Sequence, residues 1–266
     1  MSDVSELFSL TNSVAIVTGG SRGLGKEMAR ALAAAGARVA ISARRDSWLA
    51  PTAEEFRHAG YDCLALTCDV TDSAQVAAFV QQVLDRFGRI DILFNNAGIS
   101  WGAPSAEMPL EKWRDVLDVN ATGTFIVTQA VGRHMIARAA HTAPGACTGK
   151  IVNVSSLMGL RGLPPSVLSA AGYSASKGAL VALTRALAVE WAHYGITVNA
   201  LAPGFFPTRL SEGVIGRHEA ALVSRVPLGR LGENRDIHGL AVFLAAPASD
   251  YLTGQVIPLD GGATAL

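Results

Sequence analysis

Short apolar runs alternate with longer amphipathic stretches along most of the chain. Residues 14–17 and 196–201 are continuous runs of Val, Ile, Leu and Ala with few polar members, which is typical of strands buried on both faces. Residues 76–87 instead place apolar side chains at helical spacing, after the candidate N-cap Asp72 or Ser73. The whole pattern predicts seven strands, at residues 14–17, 38–43, 63–67, 90–94, 150–154, 196–201 and 255–259, with helices between them.

Buried strands that alternate with helices predict a parallel sheet covered on both faces, which is a doubly wound α/β fold. No stretch rich in Pro, Gly or Ser divides the chain. Residues 139–149 are the best candidate for a surface loop, and residues 203–216 form the other irregular stretch. We therefore predict a single domain over residues 1–266.

Composition narrows the class of function. The chain has 22 Lys and Arg against 22 Asp and Glu, so no net field draws it to nucleic acid or to anionic lipid. Half of the residues are hydrophobic and 17% are charged, which excludes a disordered protein. Three cysteines without a CxxC pair or nearby His predict free thiols and no metal site. The acidic N-terminus and the shortness of the apolar stretch at residues 31–43 favour a cytoplasmic protein outside the membrane.

A glycine-rich turn follows the first strand and opens a helix. It runs from Thr18 to Gly25 with the spacing T-G-x-x-x-G-x-G. Glycines let the backbone approach a pyrophosphate closely, and the helix N-terminus offers unpaired N–H groups and a positive dipole end. Its position after a first strand favours a dinucleotide-binding site over the alternative, an ordinary tight turn.

Further motifs occur after the later strands. They are Asn95-Asn96-Ala97-Gly98, Asn120, Ser155-Ser156, Tyr173-x-x-x-Lys177 and Pro203-Gly204. As an ordered set covering nearly the whole chain, they resemble the short-chain dehydrogenase/reductase family. The contexts of residues 96–104 and 202–208 are similar to 3-oxoacyl-[acyl-carrier-protein] reductases and gluconate 5-dehydrogenase-like members. The resemblance implies a Rossmann fold with a substrate lid around residues 203–225, and a homotetramer.

The resemblance also assigns candidate catalytic residues. Tyr173 and Lys177 are four positions apart and share one helix face. Tyr173 would exchange a proton with the substrate oxygen, and Lys177 would lower the Tyr173 pKa and bind the nicotinamide ribose. Ser156 would orient the substrate oxygen, and Asn120 would bend its helix around a water of a proton relay. Taken singly, Ser156 could cap a turn and Asn120 a helix. The seventeen residues from Ser156 to Tyr173 are a few more than we expect, which places extra residues in 161–172.

The end of the second strand bears on cofactor choice. Ala43 stands where we expect an NAD-selecting Asp, and Arg44 follows it. With Arg22 as a second cation, this predicts NADP, with NAD less favoured. In the alternative, Arg44 and Arg45 are solvated and Asp46 turns inward. Together with the glycine-rich turn and these arginines, the family resemblance implies the cofactor-binding residues Gly19, Ser21, Arg22, Gly23, Leu24, Gly25, Arg44, Asp69, Val70, Asn96, Ala97, Gly98, Tyr173, Lys177, Pro203, Gly204, Phe206 and Thr208.

The residues that the family resemblance places around the substrate are mostly apolar: Trp101, Met158, Leu160, Leu163, Phe205, Phe206 and Leu210. They favour an NADP(H)-dependent carbonyl reductase of the 3-oxoacyl type, with a small carbonyl or alcohol as substrate. Arg161 and Arg209 could bind a carboxylate, so a gluconate 5-dehydrogenase-like oxidoreductase is the alternative. A catalytically silent NADP-binding scaffold is a more remote one, which the presence of Tyr173 and Lys177 disfavours.

Overall fold

A computed structural model describes residues 3–143 and 145–266, and all seven predicted strands form one parallel sheet. The strand order is β3-β2-β1-β4-β5-β6-β7, so the order reverses between β1 and β4. The strands are β1 Val14–Thr18, β2 Arg38–Ala43, β3 Cys63–Thr67, β4 Ile92–Asn95, β5 Gly149–Val154, β6 Ile196–Pro203 and β7 Val256–Leu259.

In the described part of the chain, eight α-helices connect and cover the strands. They are α1 Gly23–Ala34, α2 Asp46–His58, α3 Ser73–Phe87, α4 Leu110–Leu117, α5 Gly123–Ala139, α6 Ala171–Trp191, α7 Glu212–Val223 and α8 Asn234–Ala245. Of the two candidate caps, Asp72 is the N-cap of α3, because its carboxylate accepts from the N–H groups of Ala74 and Gln75. The predicted doubly wound α/β fold is confirmed.

The core lies in two layers, one on each face of the sheet. Successive side chains of a strand point to opposite faces, and β1 shows the consequence: Ala15 and Val17 pack in one layer, Val14 and Ile16 in the other. Helices α1, α2 and α8 cover the first layer, and α3, α5 and α6 cover the second. Every residue of β1 is buried, which explains its uninterrupted apolar run.

Several boundaries differ from the prediction: β4 begins at Ile92 and not at residue 90, and the stretch 203–216, predicted to be irregular, contains the start of α7 at Glu212. The long helix α6 ends at Trp191, and a 3-10 turn over Ala192–Tyr194 precedes Gly195, which takes the left-handed conformation with φ +71°. Of the predicted surface loop, residues 140–143 and 145–148 lie between α5 and β5, and Pro144 lies outside the described residues. None of the described helices combines the length and apolar character needed to cross a bilayer.

Candidate active site

A cleft with a volume of about 1130 Å³ runs along the carboxyl edge of the sheet. It lies where the strand order reverses, which is the usual position of ligands in open parallel sheets. Its walls come from the glycine-rich turn, the ends of β2, β4, β5 and β6, the start of α6 and residues 203–217. The volume exceeds the roughly 300–1,000 Å³ of a site for one small ligand, so a dinucleotide and a substrate fit together.

Hydrogen bonds to the end of β4 hold the glycine-rich turn. The Asn96 side-chain amide donates to the carbonyl oxygens of Thr18 and Gly19, at 3.0 and 3.1 Å. A Cβ on Gly25 would lie 2.3 Å from the Asn96 amide nitrogen and 2.4 Å from the Gly19 oxygen. Gly25 therefore has no room for a side chain, and the turn brings the N-terminus of α1 to the cleft. Its unpaired N–H groups and positive dipole end suit a pyrophosphate.

Asn120 lies in a π-helical turn over Asp118–Thr122 that joins α4 to α5. Its fully buried amide accepts from the Ile99 N–H at 2.8 Å, and donates to the Ile99 carbonyl and the Ser176 hydroxyl, both at 2.9 Å. It does not line the cleft itself but lies directly behind Gly98, where a Cβ would come within 3.2 Å of its oxygen. Asn120 thus ties the segment after β4 to α6, at a bend in the helical path.

Ser156, Tyr173 and Lys177 meet at the centre of the cleft. The Ser156 hydroxyl faces Tyr173 closely enough to affect its pKa, and it accepts from the Met158 N–H at 3.2 Å. The Lys177 ammonium donates to the Val154 carbonyl at 2.7 Å and lies 5.7 Å from the centroid of the Tyr173 ring. The neighbouring Ser155 hydroxyl donates to the Lys177 carbonyl. The structure therefore brings Ser156, and not Ser155, to Tyr173.

The environment shifts both titratable groups of this cluster. Burial raises the Tyr173 pKa, and the hydrogen bond from Ser156 opposes that shift. Burial lowers the pKa of Lys177 to about 8. We expected Lys177 to lower the Tyr173 pKa, but burial is the dominant influence on it, and the Lys177 ammonium donates to the Val154 carbonyl. Tyr173 is consequently a neutral phenol at pH 7, able to donate a proton to an oxygen in the cleft.

At the other end of the cleft, arginines surround Trp48. The guanidinium carbon of Arg22 lies 3.5 Å from the Trp48 ring centroid, that of Arg45 4.6 Å and that of Arg209 5.4 Å. Arg44 lines the cleft beside them. Within residues 3–143 and 145–266, no carboxylate comes within 4.0 Å of any of these four arginines. Such a site suits an anion.

Asp46 does not supply the inward-facing acid of the alternative interpretation. It begins α2, is exposed and lies outside this cleft. Most of the predicted cofactor-binding residues do line the cleft: Gly19, Ser21, Arg22, Gly23, Leu24, Gly25, Arg44, Val70, Asn96, Ala97, Gly98, Tyr173, Lys177, Pro203, Gly204, Phe206 and Thr208. Asp69 differs, because it is not part of the lining and its carboxylate accepts from the N–H and hydroxyl of Thr71.

The substrate end is only partly as predicted. Met158, Phe205, Phe206 and Leu210 line the cleft, whereas Trp101 and Leu160 are 45% and 38% exposed and lie outside it. Leu163 packs under the lining in a cluster with Leu168 and Phe205. Arg161 points away and donates to the Ala263 carbonyl, and Arg209 lies by Trp48. The expected pair of carboxylate-binding arginines is therefore not assembled.

Sequence reasoning missed further lining residues. Ile99, Leu157, Leu168 and Val214 add to the apolar wall, and Trp48 adds an aromatic ring at the opposite end. Leu168 belongs to the extra residues before Tyr173, and Val214 to α7. No motif marks them, since they depend on which loop folds over the cleft.

Comparison with known proteins agrees with this architecture. A family model described as enoyl-(acyl carrier protein) reductase matches residues 19–264. The gluconate 5-dehydrogenase of Gluconobacter oxydans is 39% identical over 261 residues, which cover 97% of each chain. The chain belongs to the short-chain dehydrogenase/reductase family. The predicted family resemblance is thereby confirmed.

Relatives of both predicted kinds occur within this family. The 3-oxoacyl-[acyl-carrier-protein] reductase of Synechocystis is 38% identical, over 95% of this chain and 97% of its own. A crystal structure of a gluconate 5-dehydrogenase from Burkholderia cenocepacia, in complex with NADP and tartrate, superposes with a TM-score of 0.91. The two sequences are 39% identical, and the superposition covers 99% of this short-chain dehydrogenase/reductase and 100% of the Burkholderia chain. The two kinds of relative are thus about equally similar to the chain.

Proposed function

We propose that the protein is an NADP(H)-dependent reductase of carbonyl compounds, of the 3-oxoacyl type, which also runs in reverse on the secondary alcohol. The observation that carries this is the cleft itself. It combines the Ser156–Tyr173–Lys177 cluster with an apolar wall on one side and Arg22, Arg44 and Arg209 on the other, and among the described residues none of these arginines pairs with a carboxylate. The family and its NADP-containing structure support the same assignment.

The residues along the cleft fit a phosphorylated dinucleotide. The N-terminus of α1 receives the pyrophosphate, with Gly23 at φ +54° just inside the helix. Arg44 and Arg22 pair with the 2′-phosphate, because a guanidinium binds phosphate through two parallel hydrogen bonds. Lys177 would bind the nicotinamide ribose, and Pro203, Gly204, Phe206 and Thr208, which line the cleft, would hold the nicotinamide. NADPH, when bound, supplies the hydride.

Proton transfer falls to the protein. Ser156 and Tyr173 both hydrogen-bond the substrate oxygen, which Ser156 orients. Tyr173 donates its proton to that oxygen as the alkoxide forms, and its raised pKa keeps it protonated for this step. Lys177 stabilises the resulting phenolate by its charge. Asn120 acts indirectly: it holds the bend between α4 and α5 beside Gly98, and this bend makes room for a water that links Lys177 to solvent.

An apolar wall favours an acyl chain over a polyhydroxylated sugar acid. Met158, Leu168 and Phe205 would leave sugar hydroxyls without hydrogen-bond partners, which costs free energy. The position of Arg161, bound to the Ala263 carbonyl, removes one candidate for a carboxylate. A gluconate-type substrate is the second candidate, because the similar NADP complex from Burkholderia cenocepacia also holds tartrate, a hydroxy acid.

Three further proposals complete the assignment. Residues 1–266 form one Rossmann domain whose lid is the segment 203–225. The chain assembles as a homotetramer through α4, α5, α6 and the last strand, since Phe125 on α5 and Val189 on α6 are exposed, Val189 at 83%. The protein works in the cytoplasm, since Cys63, Cys68 and Cys147 are free thiols, which suits a reducing compartment.

A two-stage experiment tests the function. Fluorescence titration with NADPH and NADH comes first, followed by turnover on 3-oxoacyl thioesters, β-keto esters, cyclic ketones and keto-gluconates. We expect tighter binding of NADPH and turnover of the acyl compounds. Turnover confined to keto-gluconates would establish the second candidate instead. Tight NADPH binding without reduction of any carbonyl would point to a silent scaffold.

A further inference from the structure

Trp48 lies among arginines that come from three separate segments. Arg22 belongs to the glycine-rich turn, Arg44 and Arg45 follow β2, and Arg209 belongs to the segment between β6 and α7. Trp48 itself lies in the first turn of α2. The glycine-rich turn and the end of β2 form the cofactor half of the cleft, whereas Arg209 reaches it from the proposed lid.

The Trp48 ring orients the guanidinium groups around it. Arg22 is close enough to stack on the ring, with its guanidinium carbon 3.5 Å from the centroid, and Arg209 lies at 5.4 Å. An aromatic face attracts a guanidinium while leaving its N–H groups available at the edge. Trp48 can therefore hold both arginines without neutralising their charge.

The converging charges repel one another. After burial, the Coulombic effect of Arg209 is the largest cause that lowers the Arg22 pKa, ahead of Arg45 and Arg44. In the described part of the chain, no carboxylate offsets this repulsion by pairing with Arg22 or Arg209. A dianion between the two cleft walls would relieve it, and the 2′-phosphate is the dianion that the proposed cofactor brings.

We propose that Arg209 is a specificity-determining residue that pairs with the 2′-phosphate from the lid side, and that Trp48 is a positioning residue for Arg22 and Arg209. This inference rests on the proposed NADP(H) function and extends it. The 2′-phosphate would then join the lid segment to the nucleotide half of the cleft, so that cofactor choice depends on residues from both sides.

Calorimetric titration with adenosine 2′,5′-bisphosphate and with 5′-AMP tests the proposal. These fragments lack the nicotinamide, so they separate the 2′-phosphate from other contacts of the lid. Arg209→Ala should weaken binding of the bisphosphate by about tenfold, the usual effect of one lost charge-assisted hydrogen bond, and leave 5′-AMP unchanged. Arg209 is exposed, so the substitution leaves the core intact. Trp48→Ala should also lower the affinity for the bisphosphate relative to that for 5′-AMP, and Trp48→Phe should restore most of this preference.

Arg225→Ala is the matched control, because it removes the same charge from the lid segment at a position outside the cleft lining. It should leave both affinities unchanged. Equal losses for the two fragments in Arg209→Ala, or no loss, would overturn the proposal while the NADP assignment stands. A wild-type protein that binds NADPH and NADH equally, or neither, would instead overturn the cofactor assignment on which the proposal depends.

Discussion

The cofactor half of the cleft and its substrate half are built from different kinds of sequence. In the cofactor half, each contact follows the end of a strand, and the glycine-rich turn is fixed by the Asn96 side chain. In the substrate half, the lining comes from the loop before α6 and from Phe205, Leu210 and Val214, which have no regular spacing. The sheet positions the first half directly, whereas packing between two loops positions the second.

Polarity differs between the halves in the same way. The cofactor half exposes backbone N–H groups and arginines to the cleft, which suit phosphates of any dinucleotide of this type. The substrate half presents Met158, Leu168 and Phe205, whose shape rather than charge selects a ligand. Changes in the cofactor half should therefore alter cofactor preference, and changes in the apolar wall should alter substrate preference, whereas loss of the Tyr173 hydroxyl between them should affect turnover alone.

The largest effect is expected from Tyr173→Phe, at the junction of the halves. Removing the hydroxyl leaves no acid beside Ser156, so turnover should fall by about a thousandfold, within the range for a lost general acid. Cofactor affinity should stay nearly intact, since the ring remains. Steady-state kinetics and NADPH titration check this. Parallel loss of binding and turnover would mean that Tyr173 is a structural residue.

The pH dependence should differ between the two directions. Reduction needs the phenol, and because the Tyr173 pKa is raised, its rate should stay flat around neutral pH. Oxidation needs the phenolate, so its kcat/KM should rise about tenfold per pH unit in the same range. The rise should become shallower once Lys177, with a pKa of about 8, loses its charge. An oxidation rate independent of pH would contradict the assignment of Tyr173 as the base.

Arg44→Ala tests the cofactor half alone. It should weaken NADPH binding by about thirtyfold, which corresponds to ~2 kcal/mol for a lost charge-assisted pair, and change NADH binding little. The KM for the carbonyl substrate should not move. Fluorescence titration with both cofactors measures the two affinities. Equal weakening of NADPH and NADH binding would refute the role of Arg44 at the 2′-phosphate.

Leu168→Ser tests the substrate half and has the smallest expected effect. It exchanges an apolar side chain of the cleft wall for a polar one, so the KM for a medium-chain 3-oxoacyl ester should rise by about tenfold. The affinity for NADPH should be unchanged, and a short-chain ester should be affected less. A change in cofactor affinity instead would show that the two halves are not independent.

Sequence patterns predicted the sheet and the cofactor half well for a physical reason. A strand buried on both faces is apolar along most of its length, so its limits are visible in the chain: β2, which is buried from Val39 to Ala43, has the predicted bounds. A turn such as that of Gly19 and Gly25 requires glycine, since φ is +65° at the first and no Cβ fits at the second. Residues fixed by the backbone in this way can be recognised without a structure.

The substrate half and the electrostatics were decided by tertiary packing. Arg161 and Arg209 look alike in the sequence, yet one binds the Ala263 carbonyl and the other lies by Trp48. Nothing local distinguishes them, because their partners are distant in the chain. The Lys177 pKa likewise depends on burial against Val154. The sequence by itself determined the strands, the glycine turn and the identity of the reactive groups, all of which follow from local backbone and side-chain chemistry. Only the tertiary structure decided which loops cover the cleft and how its charges face one another.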